Sequence, residues 1–179
     1  MHSVRNWFFL LILVWLVQTV YGQSDEKKMS KEIRKEMKRL EKGGWKPAIG
    51  QPSLSNQLTA LAELRSAVRS DGSPQYVIVE GRAISANDYN SVHFLAETQA
   101  RGNLGNFVKA QVNSNSKSII NDEGATFEST SIVNSSLRLL RDKEIIALDL
   151  YRQIPNGRCE SLIQIALNRD SINKIIDEE

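Results

Sequence analysis

"KEIIALDLYRQIPNGRCESLIQIALNRD", residues 143–170, decides the fold. Two alternating segments meet at Asn156 and Gly157, the dipeptide that tolerates the positive φ angles a tight hairpin turn requires. Cys159, Ile163, Ile165 and Leu167 share one face of the second segment, interrupted only by Ser161. A short helix, "SINKIIDEE", is expected to close the chain.

A third strand is expected upstream, in "PQYVIVEGRAISAND" at residues 74–88. Val77, Val79, Gly81 and Ala83 face one way, and Tyr76, Ile78, Glu80, Arg82 and Ile84 the other. The first face is small and lets a helix approach closely. Asp88 caps such a helix, which runs to about Gln111 with Val92, Ala96, Ala100 and Phe107 near one stripe. Gln99 and Asn103 fall on that stripe as well, and Gly102 and Gly105 each cost up to ~1 kcal/mol relative to Ala within a helix. Either the helix comes very close to the sheet there, or it bends. Residues 122–140 carry a weaker helical pattern with Phe127, Ile132 and Leu140 among many Ser and Thr. Residues 53–70 place Leu54, Leu58, Leu61, Leu64 and Val68 on one side of a helix that Asp71 and Gly72 end. Residues 53–179 are therefore expected to form an α+β domain. Its order of strand, helix, helix, strand and strand implies a small antiparallel sheet with helices packed on one face, preceded by two N-terminal helices.

The first of those helices is expected over residues 25–42, within a segment 23–52 that also holds a Gly/Pro/Trp linker. Ser24 caps it, Asp25 and Glu26 open it, and Lys38, Arg39 and Lys42 crowd its last turn before Gly43 and Gly44, an order that complements the helix dipole. Met29, Ile33, Met37 and Leu40 recur at spacings of four, four and three, a narrow apolar stripe on a charged cylinder. A stripe of this kind docks on something, either the protein's own domain or a partner helix. Met29, Ile33, Met37, Leu40 and Trp45 are thus the candidate interaction residues. Trp45 sits in "GGWKPAIGQP", a linker whose lone aromatic acts as an anchor, by core docking or by stacking on a ligand. Membrane-surface binding through residues 25–42 is not favoured, because the apolar face is thin and five acids intersperse eight basic residues.

"MHSVRNWFFLLILVWLVQTVYGQS" at the start has Arg5, an apolar run from Trp7 to Val17 and a polar exit, the pattern of a secretory leader with cleavage expected after Gly22. Eleven apolar residues fall short of the roughly 20 that a spanning helix needs. With residues 1–22 removed as a signal peptide, the net charge falls from +2 by the one unit of Arg5. Near-neutral charge gives no electrostatic footprint for nucleic acid. Cys159 is the only cysteine, so no intramolecular disulfide forms and stability rests on a packed core. These features point to a periplasm or cell surface.

The chemistry is mostly exclusion. His93 is the only histidine after the leader, so two-His metal motifs and relays of two imidazoles are absent, and no glycine loop lies between a strand and a helix to cradle a phosphate. No cofactor, metal or catalytic residue is expected. A Cys159–His93 pair is the sharpest enzymatic hypothesis, since an adjacent imidazole holds a thiol as thiolate. Glu80, Glu97, Asp149 and Glu160 would form a hydrolytic pair only if the fold set two of them about 5–10 Å apart in a cleft.

"LEKGGWKP", "PSLSNQL", "YVIVEGRAIS", "AETQARGNL" and "YRQIPNGRCESLIQIALNR" together resemble a family of uncharacterised exported envelope proteins of Bacteroidota-type bacteria, over most of residues 38–169. More remotely, the strand, the Ala/Arg/Leu-bearing helix and the terminal hairpin are similar to the outer-membrane-associated LPP-type lipoproteins and to the N-terminal domain of the flagellar T-ring protein. The resemblance implies an assembly or scaffold role at the envelope with an envelope protein as partner. It brings no catalytic residues. The chain departs from the lipoproteins in lacking a lipid-accepting Cys near the cleavage point. A periplasmic hydrolase without a recognisable motif is the alternative.

Overall fold

The computed structural model describes residues 31–85, 88–116 and 138–178. The leader, its cleavage point, Met29 and most of the 122–140 segment lie outside the described residues. Helix α1 covers residues 31–42 and stops at a glycine pair, where Gly44 takes φ 77° and the Trp45 N–H donates to the Leu40 carbonyl at 3.0 Å. Strand β1 (Lys46–Pro47), helix α2 (Leu54–Ser66), strand β2 (Tyr76–Ser85) and helix α3 (Tyr89–Ser116) follow. Strands β3 (Ile145–Ile154) and β4 (Arg158–Asn168) form the hairpin, and helix α4 (Arg169–Glu178) comes last. Asn156 and Gly157 both take φ 69° in the turn, the conformation their sequence signals.

The molecule is α+β with a four-stranded antiparallel sheet in the order β1-β3-β4-β2. Two expectations are corrected. A fourth strand exists, because Lys46 and Pro47 pair with Tyr151 and Leu150. Two residues are too few to show alternation, and a proline is tolerated because this strand lies at the sheet edge.

The helices also cover both faces rather than one. Leu40, Trp45, Leu54, Leu58 and Leu61 pack with Leu148, Leu150 and Ala166 on one side, with Ile33 and Met37 against them. Ala96, Ala100, Leu104 and Val108 of α3 pack with Val77, Ile163, Ile165 and Leu167 on the other, where Ile172 of α4 joins them. The reason lies in β4, whose alternate positions are apolar in both sets, Leu162 and Ala166 as well as Ile163, Ile165 and Leu167. A strand buried on both faces needs two layers.

Helix α2 begins where Ser53 Oγ accepts from the Asn56 N–H at 3.3 Å and ends at Ser66, four residues before the expected Ser70. Val68 there forms a bridge to Pro74, and Asp71 Oδ1 accepts from the Ser73 N–H at 2.8 Å in a turn with Gly72 at φ 80°. These local bonds offer the backbone an alternative to another helical turn.

The close approach of α3 is achieved at Gly81. A Cβ there would overlap the backbone of Ala96 and Ala100, with the Ala100 Cα 2.9 Å away. The two amides on the packing stripe now have a purpose. Gln99 Oε1 accepts from the Arg82 N–H at 2.8 Å, and Asn103 Nδ2 donates to the Glu80 carbonyl at 2.7 Å. Strand β2 is an edge strand, and α3 satisfies two of its backbone groups, the Arg82 N–H and the Glu80 carbonyl.

Candidate functional site

Two amphipathic helices side by side leave a groove wherever their facing side chains are too short to meet. Between α1 and α2 that groove has a volume of about 480 Å³, with Ile33, Leu58, Leu61 and Ala62 as its apolar floor and Glu32, Glu36, Arg65 and Ser66 at its mouth. Arg39 closes on Glu36 with two bonds, at 2.6 and 2.8 Å, and this hydrogen bond together with the arginine charge holds the Glu36 carboxyl below the usual carboxylate range. Glu32 has no ion pair among the described residues. Arg65 also lines a second recess of about 360 Å³ with Tyr76, Ile78, Glu80 and Gln164. A short chain of bonds joins the two, from Arg65 Nη2 to Gln164 Oε1 at 3.2 Å and from Gln164 Nε2 to Glu80 Oε2 at 2.8 Å.

The candidate interaction residues are distributed unevenly over this region. Ile33 lines the groove and packs on the core, Met37 is half-buried against the same core, and Leu40 and Trp45 are buried within it. Trp45 also carries the guanidinium groups of Arg152 at 4.7 Å and Arg82 at 5.9 Å from its ring centroid. Met29 lies outside the described residues. Sequence reading missed Ala62, Arg65 and Gln164, which belong to α2 and β4 and carry no signal of their own.

Behind Trp45 stands a buried carboxylate. Glu160, 1% exposed, accepts from Arg152 Nε at 2.6 Å and from Arg82 Nε, while Arg152 Nη1 donates to the Gly43 carbonyl at 2.9 Å. Burial pushes the Glu160 carboxyl up, but the hydrogen bonds and charges of the two arginines outweigh it and hold the carboxyl below its ordinary range. The cluster ties the end of α1 to the hairpin. Its register was not legible from the dipeptide: a two-residue Asn-Gly turn would set Arg152 opposite Ser161, whereas the three-residue loop Pro155, Asn156 and Gly157 sets it opposite Glu160.

The opposite face holds the second buried carboxylate. His93 Nε2 lies 2.9 and 3.1 Å from the two oxygens of Asp149, which is 1% exposed. The Asp149 N–H donates to Gln57 Oε1 at 2.7 Å, Gln57 Nε2 donates to the Pro52 carbonyl at 2.8 Å, and the Ala48 N–H donates to the Asp149 carbonyl at 3.0 Å. The Tyr89 ring lies tilted against His93 at 5.4 Å and edge-on to Tyr151 at 5.2 Å, and burial followed by the Asp149 charge pushes its phenol up.

These arrangements bear on the catalytic hypotheses. His93 is engaged by Asp149, which pairs with Ile163, four residues from Cys159 and roughly 13 Å away along β4. No thiol–imidazole pair is assembled. Glu97 is held by Arg101 at 2.9 Å and Glu80 by Gln164, while Asp149 and Glu160 lie on opposite faces of the sheet. Among the described residues no group of three or more His, Cys, Asp or Glu side chains is placed to hold a metal ion, and no helix is long and apolar enough to cross a membrane. No family model matches the chain, and a search of curated proteins found no match to it.

Proposed function

We propose that the protein is an exported, non-enzymatic component of the cell envelope, in the periplasm or at the cell surface, with an assembly or scaffold role exercised through contact with another envelope protein. The observation that carries this reading is the α1–α2 groove. It pairs an apolar floor with the Glu32 carboxylate at its mouth, which has no ion pair among the described residues. A partner polypeptide presenting an apolar side chain beside a lysine or arginine has the complementary chemistry. The apolar group would remove floor area from water at about 25 cal/mol per Å², and the cation would face Glu32. Charged groups deeper in the fold are already engaged with one another, which leaves them to hold the scaffold.

The test places a photo-crosslinking residue at Ala62 in intact cells. One envelope protein should be captured reproducibly, should bind the purified chain directly, and should be lost when Ala62→Trp fills the groove. Capture that Ala62→Trp leaves unchanged would remove the groove from the reading. Material that begins at Met1 and fractionates with cytosolic markers would remove the envelope.

A further inference from the structure

The outward side of α1 carries a charge pattern that the apolar stripe does not explain. Ile33, Met37 and Leu40 turn inward. At 100° per residue, Lys31, Lys35, Lys38 and Lys42 fall diametrically opposite them, at spacings of four, three and four, with Arg34 beside the row. All five are exposed, and none joins an ion pair among the described residues. The acids do not interrupt this row: Glu32 and Glu36 turn toward the α2 groove and Glu41 borders the other side. Arg39, at the same border as Glu36, is neutralised by it. The result is a straight cationic ridge about 17 Å long on a helix anchored at its C-terminal end by Leu40 and Trp45.

We infer that this ridge docks the protein on the surface of a bilayer rich in anionic phospholipid. The binding mode is peripheral and electrostatic, because the apolar side of α1 is committed to the core and cannot insert. A row of four to eight Lys or Arg is the size that holds a protein at an anionic membrane surface. A flat lattice of phosphate headgroups matches a straight ridge without asking for hydrogen-bond geometry, which suits lysine, a point charge on a flexible stem. The choice of lipid over nucleic acid rests on the envelope location proposed above; the ridge itself does not.

The experiment uses the protein purified from cells in its native processed form, with sedimentation on vesicles of phosphatidylcholine alone or with about 30% phosphatidylglycerol at low and physiological salt. Binding is expected only to the anionic vesicles and should weaken steeply with salt. The variant with Lys31, Lys35, Lys38 and Lys42 all changed to Gln should bind several hundredfold more weakly, at about fivefold per lysine. The same four positions changed to Arg should retain binding, and unchanged circular dichroism melts in both variants confirm folding. No binding at low salt, or equal binding by the Gln variant, overturns the inference. Tighter binding to a short DNA duplex than to the anionic vesicles overturns it in favour of nucleic acid and, unlike loss of capture at Ala62, bears on the envelope location rather than on the groove.

Discussion

The two faces of the sheet bury one carboxylate each and treat it differently. On the α3 face, Asp149 meets one imidazole beside the rings of Tyr89 and Tyr151, and Gly81 lets the helix backbone touch the strand. On the α1/α2 face, Glu160 meets two guanidinium groups under an indole, in a layer that stays partly open to solvent. The first face is closed by shape and the second by charge. Shape tolerates no added volume, whereas charge responds to pH.

Gly81→Ala should give the largest effect, because the added Cβ meets backbone that cannot rotate away. A loss of about 3 kcal/mol or more in urea unfolding is expected, at the upper end of overpacking costs. A loss under 0.5 kcal/mol would show that the α3 face has the slack assigned here to the other.

Glu160→Gln should come next, at about 2–3 kcal/mol near neutral pH. That is below the roughly 3–5 of fully buried pairs because Arg82 is 53% exposed and partly screened. The Glu160 carboxyl is held low in the folded state, so its contribution is complete above the ordinary carboxylate range and is lost as pH falls through the folded value. The gap between wild type and Glu160→Gln should therefore narrow only in acid, below the ordinary carboxylate range. A gap that closes between pH 6 and 8, measured by thermal unfolding at several pH values, contradicts the assignment.

Gln57→Ala leaves the buried Asp149 N–H without its partner and should cost about 1–3 kcal/mol by chemical denaturation. Asn103→Ala should cost less, about 1 kcal/mol, since the Glu80 carbonyl it frees lies on an exposed strand position that water can reach. If Asn103→Ala proves the more damaging of the two, the Glu80 carbonyl is closed to water at least as firmly as the Asp149 N–H, against its exposed position.

The elements that read clearly from sequence are those whose signal is local. The hairpin carries its own turn dipeptide, and the small face of β2 announces a close helix through Gly81. Gln99 and Asn103 were visible as polar residues on a packing stripe, but their purpose depends on β2 being an edge strand, a fact of strand order rather than of any window of residues. Strand β1 was hidden by its two-residue length. The second helical layer was hidden because residues 158–168 alternate strongly enough to suggest one buried face, while the other set, with the polar Glu160 and Gln164 beside Leu162 and Ala166, is buried as well. The groove is the least legible part: its floor joins residues 33 and 62, and only the packing of two helices brings them together.

The amides at the strand edges carry a consequence for crowded compartments. Gln99 and Asn103 occupy hydrogen-bonding positions in mid-β2, while Gln57, Ala48 and β1 do the same along the middle of β3. A neighbouring copy that tried to extend the sheet would find these donors and acceptors taken, which opposes strand templating in the middle of β2 and of β3.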